Sequence, residues 1–244
     1  MKNIFSDETI NKYIEMAIHN KNYELEMIYG INSGIEIKRI QFIRLLNECK
    51  ESFNDYTMTN QLDVTFMNNN QLRDLRLSII GMDNIMKFCR DDHYKDILSE
   101  NYVLMNKINI DGFPGIKNDN YNLRVNLKNE NFDISDGVKS ELNSKFNSLD
   151  KSFRYKRRYS FITKGSLFRI DLTVLKEKNR SYTKKFRDSG ILEASEKYEI
   201  EIEFIGNEKD NMDLIYKSII DNEILSYKGD YGNLYDPLNI SKKE

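Results

Sequence analysis

KYEIEIEFIG, residues 197–206, alternates Glu199, Glu201 and Glu203 with Tyr198, Ile200, Ile202 and Phe204. Successive strand side chains point to opposite faces, so this period of two puts three acids on one face and four apolar groups on the other. NYELEMIYG, residues 22–30, repeats the design with Glu24 and Glu26 against Tyr23, Leu25, Met27 and Tyr29. FRYKRRYSFI, residues 153–162, reverses the sign: Arg154, Lys156 and Arg158 lie opposite Phe153, Tyr155, Tyr159 and Phe161, with Arg157 interrupting the apolar row. LFRIDLTVL, residues 167–175, sets Arg169, Asp171 and Thr173 against Phe168, Ile170, Leu172 and Val174.

Any one of these polar faces, taken alone, reads as the solvated side of a half-covered antiparallel sheet. Solvated faces usually mix signs, because like charges in neighbouring positions repel. Here the acids gather on two strands and the bases on another. A closed antiparallel barrel with helices on its apolar outer surface would turn the four charged faces into one lumen, with a divalent cation at the acids and an oligoanion at the bases. The expected fold class is therefore α+β, a closed barrel of about eight strands with helices packed outside.

Period-two stretches at 62–67, 72–80 and 121–128 supply further strands, and Asn68–Asn70 and Lys164–Ser166 mark hairpin turns. Helical spacing appears in Ile10, Tyr13, Ile14, Ala17 and Ile18 behind the cap candidates Ser6 and Asp7, in Ile40, Ile43 and Leu46, and in Met212, Ile215, Ile219 and Ile220. Shorter helices are predicted near 82–106 and 136–147. Periodicity fades from Tyr227, so residues 1–228 are expected to form one domain and 229–244 a tail or linker.

The 244 residues carry 37 Lys and Arg against 39 Asp and Glu, so no basic excess announces a long nucleic-acid track and any polyanion site must be local. Two cysteines and two histidines exclude a disulfide scaffold or an ordinary zinc ribbon; Cys89 and His93 read as packing groups. No apolar run approaches a membrane span, and MKNIFSDETI lacks a signal-peptide core, so the chain is expected to be intracellular, soluble and without membrane partners.

The joint order of YELEMIYG, FRYKRRYSF, FRIDLTVLK and YEIEIEFIG resembles the triphosphate tunnel metalloenzymes, specifically the metal-dependent RNA triphosphatases of fungal and large-DNA-virus mRNA capping. The resemblance spans about Tyr23 to Gly206. It implies a hydrolase that converts a 5′-triphosphate RNA end to a diphosphate, with nucleoside triphosphates as further substrates and guanylyltransferase and methyltransferase capping domains as fused or associated partners. A viral source would place it in the cytoplasm or virion.

The resemblance also assigns residues. Glu24, Glu26 and Glu203 are implied as ligands of Mg²⁺ or Mn²⁺, the hard-oxygen cations, with Glu199 and Glu201 placing water. Arg154, Lys156 and Arg158 are implied to neutralise phosphate oxygens. Asp171 is implied to orient an arginine or a water. LRLSIIG (75–81) and NLRVNLKNE (122–130) resemble strands that bring further phosphate-binding cations, implying Arg76 and Lys128, with Arg73 and Arg124 as rivals. Glu36 in SGIEIKRI, whose second acid is replaced by Lys38, is expected at the surface. Two other readings stand beside this one: hydrolysis of tripolyphosphate or a small organic triphosphate on the same fold, and a non-catalytic RNA-end binding module.

Overall fold

A computed structural model describes residues 8–29, 36–53, 55–67, 72, 74–118, 123–163, 166, 168–178 and 181–206. The expected helix at 212–220, the tail, the Asn68–Asn70 turn, Lys164, Gly165, Ser6, Asp7 and Arg73 lie outside these residues. The elements run α1 (Glu8–His19), β1 (Tyr23–Tyr29), α2 (Arg39–Ser52), β2 (Tyr56–Phe66), β3 (Leu75–Ile80), α3 (Met82–Asp91), β4 (Tyr102–Asn109), β5 (Ile116–Asn118), β6 (Leu123–Asn131), α4 (Asp136–Lys145), β7 (Lys151–Ile162), β8 (Phe168–Glu177) and β9 (Glu196–Phe204).

Eight strands close in the order β1-β9-β8-β7-β2-β3-β4-β6, and β6 returns to β1. Every pairing is antiparallel, from Glu26 opposite Glu203 to Arg169 opposite Glu203 and Asp63 opposite Arg154. The short β5 pairs with the start of β6, beyond the residues of β6 that β4 reaches. This is the expected α+β barrel.

The barrel is apolar outside because each strand's alternation sends its hydrophobic row outward. On one flank Leu25, Met27, Ile170, Leu172, Ile200 and Ile202 pack under Tyr13, Ile14 and Ala17 of α1 and Phe42, Leu45 and Cys49 of α2. On the other, Leu62, Val64, Leu77 and Ile79 lie against Ile85 and Phe88 of α3 and Leu142 of α4. Each fully buried aliphatic or aromatic side chain contributes about 1.5–3 kcal/mol, so two such layers supply the stability that a polar barrel interior cannot. Among the described residues no helix is long and apolar enough to cross a membrane.

Three local expectations change. The helix predicted near 82–106 stops at Asp91, where Asp92 adopts a left-handed φ of 52° and donates its backbone N–H to the Phe88 carbonyl; the chain then enters β4. Strand β2 begins at Tyr56, six residues before the predicted start. Helix α2 forms, but Ile40 and Ile43 are 51% and 38% exposed and the buried stripe is Phe42, Leu45 and Cys49. Two interleaved apolar stripes compete on that helix, and the aromatic one docks.

Lys151 is buried away from the lumen. Its ammonium donates to the carbonyls of Phe146 and Leu149 at 2.7 and 3.0 Å, just past the end of α4. A cation there satisfies carbonyls that the helix leaves without partners.

Because Leu25 and Ile202 face the helices and not the lumen, Leu25→Ala and Ile202→Ala should each lower unfolding free energy by about 2–5 kcal/mol in urea titrations. Unchanged midpoints in both variants would contradict the outward apolar layer.

Candidate active site

The inward rows of the strands enclose a cavity of about 360 Å³. Its wall includes Glu24 and Glu26 from β1, Arg76 from β3, Lys128 from β6, Arg154, Lys156 and Arg158 from β7, and Glu199, Glu201 and Glu203 from β9. Ten of the eleven expected site residues thus meet in one space. The eleventh, Asp171, is buried beside it: Arg158 and Arg169 approach its carboxylate at 3.5 and 3.0 Å, and the Ser160 hydroxyl donates to it at 2.6 Å. Asp171 therefore orients two arginines. Arg157 is exposed, as the alternation requires, and so is Glu36.

The acids do not stand alone. Lys107 of β4 projects among Glu24, Glu26 and Glu130, bonded to Glu24, 3.1 Å from Glu130 and 3.5 Å from Glu26. Lys128 sits 3.1 Å from Glu26, and Arg169 bonds Glu203. Burial would raise the Glu26 carboxyl, but Lys107 and Lys128 together hold it below its ordinary range. At Glu24 the balance reverses: burial, reinforced by Glu26, Glu130 and Glu203, outweighs Lys107 and pushes the carboxyl up to about 8. Burial also raises Glu203, with Asp171 and Glu130 adding to it against Arg169.

On the facing wall, Lys156 is 6% exposed and its ammonium lies 2.8 Å from Asp63 of β2. Asp63 also accepts from Gln61 at 2.6 Å and from Ser78 at 2.7 Å. Burial works against the Asp63 anion, but Lys156 and Arg76 override it and hold the carboxyl far below its usual range. Arg154 contacts Glu177 at 2.8 Å and Glu199 at 3.0 Å, and Arg158 lies 3.4 Å from Glu201. Each base is thus held by an acid at its flank, an arrangement that fixes long side chains before a ligand arrives.

The donor set suits a hard divalent cation: Glu24, Glu26 and Glu203 offer only carboxylate oxygens, and Glu26 and Glu203 are direct cross-strand partners. Burial is the main cause that raises the Glu24 and Glu203 carboxyls, a cost that a bound cation would offset. As the side chains stand, no three carboxylates among the described residues are grouped as metal ligands, because Glu24 and Glu26 turn to Lys107 and Glu203 to Arg169. A cation would compete with those ammonium and guanidinium groups for the same oxygens.

Several lumen residues carry no role in the sequence reading, although two strands hold the signal. QLDVTF places Gln61, Asp63 and Thr65 on one face, and LRVNLKNE places Arg124, Asn126, Lys128 and Glu130 on one face, the same alternation that marks the other strands. Arg124, the rival to Lys128, lines the cavity with it. Lys107 is harder to foresee, because its strand falls where a helix is predicted.

No family model and no curated protein matches the chain. Solved structures do. The Mimivirus capping enzyme triphosphatase superposes with a TM-score of 0.63 at 18% identity, over 91% of this chain and 98% of that one. The RNA triphosphatase domain of the trifunctional mimivirus mRNA capping enzyme gives 0.62 at 20%, over 88% and 95%. The S. pombe Pct1 RNA triphosphatase, solved with the Spt5 CTD, gives 0.52 at 15%, over 96% and 93%. With its closed eight-stranded antiparallel barrel and charged lumen, this chain is built on the triphosphate tunnel fold that these capping triphosphatases share.

Proposed function

We propose that the chain is a metal-dependent RNA 5′-triphosphatase that removes the γ-phosphate from triphosphate-ended RNA, the first step of mRNA capping. The observation that carries this reading is one cavity lined by Glu24, Glu26, Glu199, Glu201 and Glu203 together with Arg76, Lys128, Arg154, Lys156 and Arg158. Likeness of fold to viral and fungal capping triphosphatases supports it.

Phosphoryl transfer asks a protein mainly to neutralise equatorial oxygens, hold the leaving oxygen in line and aim water. Arg154, Lys156 and Arg158, spaced roughly 6.5–7 Å apart along one strand face, line up to bind successive phosphates, with Arg76 and Lys128 approaching from neighbouring strands. Glu24, Glu26 and Glu203 would hold Mg²⁺ or Mn²⁺, which supplies charge neutralisation and polarises the γ-phosphate. Glu199 and Glu201 orient the attacking water, and one of the two takes its proton. Asp171 keeps Arg158 and Arg169 aimed into the lumen. Capping partners of the guanylyltransferase and methyltransferase type are those such a product calls for.

A second reading, hydrolysis of tripolyphosphate or a small triphosphate, draws on the same cavity, since its walls recognise phosphate rather than anything attached. The deciding experiment measures kcat/KM for γ-phosphate release from triphosphate-ended RNA, ATP and tripolyphosphate with the same metal and salt. Release from RNA that stops at the diphosphate is expected. Release from tripolyphosphate with none from RNA would move the assignment to the second reading, and RNA binding with no release from any substrate would leave a binding module.

Activity should vanish in EDTA, and Glu24→Ala or Glu203→Ala should each reduce turnover by at least about 10²-fold while the fold persists by circular dichroism. Full turnover in EDTA would contradict metal dependence. Among Arg154→Ala, Lys156→Ala, Arg157→Ala and Arg158→Ala, the three lumen variants should lose about 10²–10³-fold in phosphate release and Arg157→Ala little. A worst effect at Arg157 would contradict the inward register.

A further inference from the structure

The inward face of β6 carries Arg124, Asn126, Lys128 and Glu130. Three of the four are committed to the acids or to the cation among them. The Lys128 ammonium lies 3.1 Å from Glu26, the Asn126 amide donates to the same carboxylate at 3.2 Å, and Glu130 holds Lys107 at 3.1 Å. Arg124 differs. Its Nε is buried without an acceptor, and among the described residues no carboxylate pairs with its guanidinium. The other bases of the lumen are occupied: Lys107, Arg154, Lys156, Arg158 and Arg169 in ion pairs, and Arg76 near Asp63, whose carboxyl it helps hold down.

Register explains the difference. Lys128 stands opposite Glu24 and Asn126 opposite Glu26, whereas Arg124 stands opposite Ile28, where the acidic row of β1 gives way to an apolar side chain. Packing sets the arginine stem instead: a Cβ at Gly115, in the chain entering β5, would lie 3.6 Å from Arg124 Cδ. In the eight-stranded ring β6 and β7 are four strands apart in either direction, so they face each other across the lumen. A row of paired residues runs from Arg124 through Ile28 and Glu201 to Asp171, and Arg158 of β7 approaches those two acids at 3.4 and 3.5 Å. Arg124 and the basic row of β7 line the same cavity.

We infer that Arg124 is the phosphate-binding residue of β6, meeting the polyphosphate from the wall that faces Arg154, Lys156 and Arg158. Lys128, which approaches the lumen from the same strand, acts through the Glu26 carboxylate it holds. The inference rests on the triphosphatase reading and deepens it. A partly buried guanidinium without a counter-ion is a cost that an incoming anion removes, and its forked donors match phosphate oxygens. An arginine with no acid to release is also ready for a ligand before any ion pair breaks.

Two measurements test it. Arg124→Gln and Lys128→Gln each remove one positive charge from the same strand face, so a difference between them reports contact and not net charge. In calorimetric titrations with the imido analogue of tripolyphosphate in EDTA, Arg124→Gln should weaken binding about tenfold or more, as loss of charge-assisted hydrogen bonds would, and Lys128→Gln should weaken it less. Mn²⁺ affinity, measured without the analogue, should change in Lys128→Gln and keep its wild-type value in Arg124→Gln. A loss of analogue binding in Lys128→Gln that equals or exceeds that in Arg124→Gln, or a Mn²⁺ affinity that shifts in Arg124→Gln alone, overturns the inference. In the wild-type chain, phenylglyoxal should modify Arg124 and the analogue should protect it. Arg124 left unmodified, or modified as fast with the analogue present, overturns the inference even if the Arg124→Gln chain does not fold. If the analogue binds in this way while no substrate releases phosphate, the hydrolase reading fails and Arg124 stands as a phosphate contact.

Discussion

A carboxylate or ammonium withdrawn from water costs several kcal/mol unless an opposite charge stands beside it, and the interior of this barrel holds Glu26, Asp63, Lys156 and Asp171 at 7% exposure or less. Every one of them has an oppositely charged neighbour, drawn mostly from a different strand. Lys107 is the clearest case, one ammonium shared by three carboxylates from β1 and β6. A set of buried ion pairs is a poor device for stability, since apolar groups of the same volume would serve as well or better. Under the proposed function, these pairs keep the charges in order for a ligand that carries both signs, a cation and its polyphosphate.

That constraint explains the rest of the architecture. A lumen given over to charge cannot hold the hydrophobic core, so the core moves outside, into two layers between the barrel and its helices. Closure matters for the same reason: eight strands joined without an edge leave no unpaired strand beside the ion pairs. The outward Arg157, one residue from Lys156 and Arg158, shows how sharply the pleat separates the two environments.

The strands that define the site were legible because alternation is a local property. Glu24 with Glu26, the basic row of β7 and the three acids of β9 can be read from a few residues each, and their convergence follows from closing the sheet. Partnerships were not legible, because they depend on register across the barrel: nothing in the sequence near Lys107 says that it will lie between Glu24 and Glu130, 83 positions from Glu24. The strand Tyr102–Asn109 lacked a clean period, since Met105 and Lys107 both line the lumen and its other face is only partly covered. On α2 the periodicity was right and its phase wrong, as Ile40 and Ile43 stay at the surface while Phe42 finds the barrel.

The central claim is that the lumen's acids and bases form one site for a divalent cation and a polyphosphate together. The most direct measurement is the melting temperature of the chain with Mn²⁺ alone, with a non-hydrolysable imido analogue of tripolyphosphate in EDTA, and with both. The account predicts a rise with both that exceeds the sum of the separate rises, because each ligand relieves the charge the other leaves unbalanced. No shift under any of the three conditions would contradict it.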